Sequence, residues 1–145
     1  MLSSMTRACI ILSVFFLSVL GISAQEIFII TNRDSEINSI RSKDLKALFL
    51  MQTQQIQGNE FGIVEYRMDN PLRLEFARSY LNLDEKGLNQ YWRKRFLKVG
   101  QQDPVSKINS RVVFVYLKRK LNVLGYCSSQ SKLPDYLKRV QVEHY

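Results

Sequence analysis

The residues best placed to do chemistry in this chain run from Glu65 to Arg73, in the order Glu-Tyr-Arg-Met-Asp-Asn-Pro-Leu-Arg. An arginine and an aspartate fall where strand-like composition gives way to a helix start. Asn70 is a good N-cap, and Pro71 suits the first helical position, where its missing N–H costs no helical bond. The N–H groups and positive dipole end of such a helix attract anions. Arg67 can offer two parallel hydrogen bonds to an oxyanion, and Asp69 can accept a proton from a protonated one. Arg73 can add a donor if its side chain folds back over the helix start. The candidate ligand-binding set is therefore Arg67, Asp69, Asn70 and Arg73. A purely structural reading stands beside it, in which Arg67 and Asp69 pair with each other or with a neighbouring helix, and these residues alone leave both open.

Other chemistries lack raw material. The 145 residues include two cysteines and one histidine, His144, next to the C-terminus. A disulfide framework, a multi-histidine metal site and a Ser/His or Cys/His catalytic pair are not available from such a set. No glycine-rich phosphate loop, nucleophile elbow, zinc motif or dinucleotide fingerprint occurs. The adjacent carboxylates Asp84 and Glu85 sit at a helix start, where negative charge offsets the helix dipole, so capping explains them better than acid/base work. The expectation is a non-enzymatic binding or interaction domain without cofactor or metal.

The first 24 residues read as a secretory signal. Arg7 supplies the positive end, Ile10 to Leu20 an uncharged apolar run, and Gly21-Ile22-Ser23-Ala24 a small-residue exit. The apolar run is shorter than the roughly 20 residues that span a bilayer, so cleavage after Ala24 and a periplasmic location are expected. Cys9 leaves with that segment, and Cys127, inside the apolar run Val123 to Cys127, becomes a lone buried thiol. What remains is a single domain, residues 25–145, carrying 20 basic and 13 acidic residues.

Basic residues cluster at Arg93-Lys94-Arg95 with Lys98 and at Lys118-Arg119-Lys120. Consecutive charges on a helix point in several directions and usually form its solvated side. Export removes nucleic acid as a partner, leaving an acidic lipid or an acidic protein as what such a surface would attract.

The elements that must position these residues alternate. Glu26 to Thr31 is a β-branched and aromatic run of the kind buried on both faces. Ser42 to Phe49 has a serine at the N-cap and apolar residues at helical spacing. Phe61 to Tyr66 returns to strand character, and Pro71 to Leu81 reads as a helix with Leu72, Phe76 and Tyr80 inward. A helix from Asp84 to a stop at Gly100 places Leu88, Tyr91, Trp92 and Phe96 on one face. Asp103-Pro104 repeats the cap-then-proline signal. Arg111 to Leu117 has strand-like composition, yet Ile108, Val112, Val115 and Tyr116 keep helical spacing, and helix is the reading adopted. Val123 to Cys127 is a strand and Arg139 to Val142 a final edge strand. Together these make one α/β layered domain.

This order of elements, with three local matches, resembles the substrate-binding proteins of phosphate ABC importers, as a short relative the size of one lobe. Ser42-Lys43-Asp44-Leu45-Lys46-Ala47-Leu48-Phe49-Leu50 is similar to that family's helix leading into its "iFlGk" motif. Tyr66-Arg67-Met68-Asp69 takes the place of its Arg-Ser-Asp-Gly-Ser-Gly-Thr anion loop, and Leu124-Gly125-Tyr126 resembles its Gly-Ala-Ile-Gly-Tyr strand. Trp92 falls where these relatives often carry a tryptophan. The resemblance implies a periplasmic-binding-protein-like single lobe, a mixed sheet flanked by helices. It also implies phosphate or a similar oxyanion as the inherited ligand class and a membrane transporter or sensor as a partner. Where the family has small and hydroxyl residues after the aspartate, this chain has Asn70, Pro71, Leu72 and Arg73. Each lost donor to a charged group is worth about 1.5 to 3 kcal/mol, so the inherited ligand is expected to bind weakly.

Overall fold

The computed structural model describes residues 25–100 and 104–145. The expected signal segment, residues 1–24, lies outside the described residues, as does Asp103. Along the chain come β1 (Ile27–Asn32), β2 (Ser39–Arg41), α1 (Ser42–Phe49) and four short strands, β3 (Gln55–Ile56), β4 (Asn59–Glu60), β5 (Gly62–Ile63) and β6 (Glu65–Tyr66). They are followed by α2 (Pro71–Phe76), α3 (Glu85–Val99), β7 (Ser106–Lys107), α4 (Ser110–Lys118), β8 (Val123–Ser128) and β9 (Leu137–Glu143).

The main sheet has the order β2-β9-β1-β8-β5. β1 lies at its centre, antiparallel to both β8 and β9, with Ile29 opposite Tyr126 on one side and Val140 on the other. β2 joins β9 and β5 joins β8 in parallel, so the sheet is mixed. Ile29 and Ile30 point to opposite faces, yet both are buried, which is why β1 is apolar without alternation. Arg139 to Val142 is therefore not an edge strand: β2 covers the outer side of β9. Three residues of β2 carry too little pattern to announce themselves.

Gly125 explains how α4 packs on β8. A Cβ there would meet Val64 Cγ1 at 2.9 Å and Leu117 Cδ1 at 3.1 Å, so only a glycine lets the helix approach this strand so closely. On the α2 side an aromatic group closes the core. Phe76 stacks on Tyr126 at 3.9 Å between centroids, and Phe49 tilts against Phe76 at 4.7 Å.

Several local expectations are corrected. Arg41, not Ser42, holds the N-cap position of α1, without a side-chain cap, and its Nε lies 2.7 Å from Asp44. The helix expected over 71–81 is α-helical only to Phe76 and continues as a π-helical turn, Ala77–Leu81, that stops at Asn82 in the left-handed region. Its buried residues are Arg73, Phe76, Ala77 and Leu81, with Leu72 and Tyr80 half-buried. Pro104 starts no helix. The chain runs instead into β7, and Asn109 caps α4. Residues 111–117 are helical as read, but the inward face of α4 is Val113, Phe114 and Leu117, leaving Ile108, Val112 and Val115 exposed. In α3, Leu88 and Trp92 are buried as expected, whereas Phe96 is 56% exposed because the helix has by then passed the end of the core.

Candidate functional site

β6 and β7 lie side by side in parallel, Tyr66 opposite Lys107. Each runs from its carboxyl end into a helix, β6 into α2 and β7 into α4. Two helix starts are thereby brought beside one loop, the geometry in which open α/β sheets form ligand crevices. The pair is held by backbone and side-chain bonds. The Arg67 N–H donates to the Lys107 carbonyl at 3.1 Å, and the Asn70 side-chain amide donates to the Ile108 carbonyl at 3.4 Å.

Arg67 and Asp69 stand on the rim of this junction. Arg67 Nε is 3.5 Å from Asp69 Oδ1, with the two side chains 58% and 74% exposed. They do pair, as the structural reading required. A pair this open to solvent is worth about 0 to 1 kcal/mol, so it offers little resistance to an anion that competes for the guanidinium.

Asn70 caps α2 as expected: its Oδ1 accepts from the Leu72 N–H at 2.9 Å. The Arg73 N–H bonds to the Asn70 carbonyl at 3.0 Å, and the Asn70 N–H to the Arg67 carbonyl at 2.9 Å. Pro71 has no N–H to give. The donors that a helix start would turn towards an anion are therefore used internally at Asn70, Leu72 and Arg73. At α4 the Asn109 side chain accepts from the Val112 N–H at 3.1 Å in the same way.

Arg73 is placed beneath the loop rather than over it. Its Nε lies 3.1 Å from Glu65 Oε2, both side chains being 3% exposed, and its Nη1 donates to the Tyr66 carbonyl at 3.0 Å. The Tyr126 hydroxyl also donates to Glu65, at 2.8 Å. Tyr66 donates to the Tyr126 carbonyl at 2.9 Å and lies 3.1 Å from the Ser110 hydroxyl. Burial pushes the Tyr66 phenol up to about 12. Burial and then the neighbouring Glu65 raise Tyr126 well above its ordinary value. Both phenols thus stay protonated and work as donors. This polar group ties β6, α2, α4 and β8 together directly under Arg67.

The structure brings Arg67, Asp69 and the half-buried Asn70 together, and buries Arg73 against Glu65 and the Tyr66 carbonyl. Sequence reasoning missed Asn109 and Ser110, which bring the second helix start to the same place. Asn-Ser ahead of an apolar run was a usable signal, overshadowed by Asp103-Pro104. Among the described residues no cluster of three or more His, Cys, Asp or Glu side chains could hold a metal ion.

No protein-family model and no curated protein sequence matches the chain. Solved structures do. An ABC-type phosphate transport receptor from Vibrio cholerae superposes with a TM-score of 0.63 over 81% of this chain and 46% of its own, at 12% identity. The PstS protein from Borrelia burgdorferi gives 0.61 over 83% of this chain and 49% of its own, at 15% identity. The chain has a periplasmic-binding-protein-like fold, as a single lobe. It spans less than half the length of either receptor. At this level of identity the likeness is one of fold.

Proposed function

We propose that the protein is an exported, non-enzymatic solute-binding-like lobe whose contact point for phosphate or a similar oxyanion is Arg67, on the rim that it shares with Asp69 and Asn70. The observation that carries this reading is the position of Arg67. It stands exposed at the carboxyl ends of two parallel strands, beside two helix starts, in a fold shared with phosphate receptors. Arg73 serves from below, fixing the Tyr66 carbonyl and hence the strand end that carries Arg67. Export would proceed through cleavage after Ala24, placing the protein in the periplasm.

An open rim binds weakly. The anion stays hydrated and screened on the exposed side, and Asn70, Leu72 and Arg73 have already committed their N–H groups. Alone, the lobe is expected to hold phosphate with a dissociation constant on the order of 1 mM or weaker. A membrane transporter or sensor that supplies the opposing wall would strengthen it. The same committed donors favour a second reading, a ligand-free accessory module that docks on such a partner. Calorimetric titration of the exported protein with phosphate and sulfate separates the two: Arg67-dependent heat supports the first, and none at any accessible concentration supports the second.

A further inference from the structure

Charge and exposed apolar surface are concentrated in the same stretch of chain. Residues 93–120 carry nine lysines and arginines and one acid, Asp103, whereas the rest of residues 25–145 carry eleven basic and twelve acidic residues. The net positive charge of the domain therefore resides in this segment. Among the described residues, seven of the nine exposed large hydrophobic side chains also lie within it, from Phe96 to Val115.

The geometry of α3 shows why those apolar groups are uncovered. The helix is fixed to the body as far as Arg95: the Tyr91 hydroxyl donates to the Leu50 carbonyl at 2.6 Å, and the Arg95 guanidinium donates to the Met51 carbonyl. Phe96 and Val99 continue the stripe of Leu88 and Trp92 at helical spacing, but beyond the core, and are 56% and 60% exposed. Leu97, on the other side of the helix, is 77% exposed. Arg93, Lys94 and Lys98 flank this tip and are exposed. On α4 the outward face repeats the pattern, with Val112 and Val115 beside Arg111, Lys118 and Arg119.

We propose that the tip of α3, from Arg93 to Val99, docks the protein on an anionic lipid bilayer, with Phe96, Leu97 and Val99 entering the headgroup boundary and Arg93, Lys94 and Lys98 meeting lipid phosphates. Apolar side chains ringed by Lys and Arg are what an interfacial helix presents, and each basic group near an anionic surface adds to the attraction. A second copy fits the same face poorly, because a two-fold contact would press Arg93, Lys94 and Lys98 against their own equivalents. The inference is independent of the anion reading, since Arg67, Asp69, Asn70 and the β7–α4 junction beside them all lie outside this tip.

The test is co-sedimentation of the full-length gene product, exported and purified as the cell releases it, with vesicles of phosphatidylglycerol and phosphatidylethanolamine or of phosphatidylcholine alone. Two variants are compared with it, Phe96→Ser with Leu97→Ser, and Lys94→Glu with Lys98→Glu. All four side chains are exposed, so the variants should keep the wild-type melting temperature. Binding to the anionic vesicles that falls about tenfold in either variant and with added salt is the expected result. Equal binding to neutral vesicles, or anionic binding that both variants retain, overturns the proposal. So does an absence of vesicle binding, whether or not the wild type instead forms a dimer, or captures an acidic membrane protein, that Leu97→Ser abolishes.

Discussion

Arg73 and Glu65 face each other 3.1 Å apart with both side chains 3% exposed, directly beneath the strand end that carries Arg67. A buried ion pair gains little over a well-packed apolar pair, but removing one partner leaves a charge without compensation. Arg73→Met should therefore destabilise the protein by about 3 to 5 kcal/mol, whereas Arg73→Met combined with Glu65→Leu should recover much of that loss. Urea denaturation of both variants checks this. A single variant as stable as the wild type would mean that the pair is solvated rather than enclosed.

The core aromatics of α3 separate by exposure. Trp92 is 7% exposed, and its indole N–H has no hydrogen-bond partner among the described residues. Trp92→Ala should cost about 3 to 5 kcal/mol, while Trp92→Phe, which removes the orphaned N–H as well as volume, should cost clearly less. Phe96→Ala should change stability by less than about 0.5 kcal/mol. Thermal melts of the three variants test the ranking.

Gly125→Ala should destabilise the protein by about 1 to 3 kcal/mol through overpacking, because the added methyl meets Val64 at 2.9 Å and Leu117 at 3.1 Å. Shortening the neighbour in Gly125→Ala with Leu117→Val should relieve part of that cost. Additive losses in the double variant, measured by chemical denaturation, would place the strain elsewhere.

Burial raises the Cys127 thiol from 9.0 to about 11 and the Tyr66 phenol from 10.0 to about 12. Both folded-state values lie above the unfolded ones, so the unfolded chain binds fewer protons at alkaline pH. Their contribution to stability is complete below about pH 9 and is lost as pH rises towards 11 to 12. The denaturation midpoint should stay level from pH 7 to 8.5 and fall above it, and Cys127→Val should shift the onset of the fall upward by about one pH unit. The native thiol should also resist an aromatic disulfide reagent at pH 8 and react once urea unfolds the chain.

The strands and helices that bury wide apolar faces were legible because periodicity reports burial. β1, α1, β8 and the first part of α3 stand where their patterns put them. The misreadings have local causes. Phe96 keeps the spacing of Leu88 and Trp92, and a pattern cannot show where the body that a helix packs on comes to an end. Pro104 carries the signal of a helix start but enters β7, whose two residues pair with β6. Pairing partners sit some forty residues away, beyond the reach of any local rule. The same holds for the site. Arg67 and Asp69 could be singled out from their junction, but the inward turn of Arg73 depends on Glu65 and Tyr126, residues that only the fold brings together.

The last prediction concerns the rim. Wild-type protein should give at most weak, saturable heat with phosphate, and Arg67→Ala should abolish it, because the exposed guanidinium offers two parallel hydrogen bonds to an oxyanion at the carboxyl end of β6. Asp69→Ala should act in the opposite direction. Removing the carboxylate 3.5 Å from Arg67 Nε frees the guanidinium and takes away a negative charge that repels the ligand, so phosphate affinity should rise about two- to fivefold. Pro71→Ser should raise it further by restoring an N–H and adding a hydroxyl at the helix start, provided the Asn70 cap on Leu72 is kept. Reading all three by calorimetry under one buffer and salt condition distinguishes a weakened site from an absent one. Tight phosphate binding that survives Arg67→Ala would move the site away from this loop. Heat that is absent in the wild type and in both the Asp69→Ala and Pro71→Ser variants would mean that the lobe has kept the fold of a phosphate receptor without its ligand.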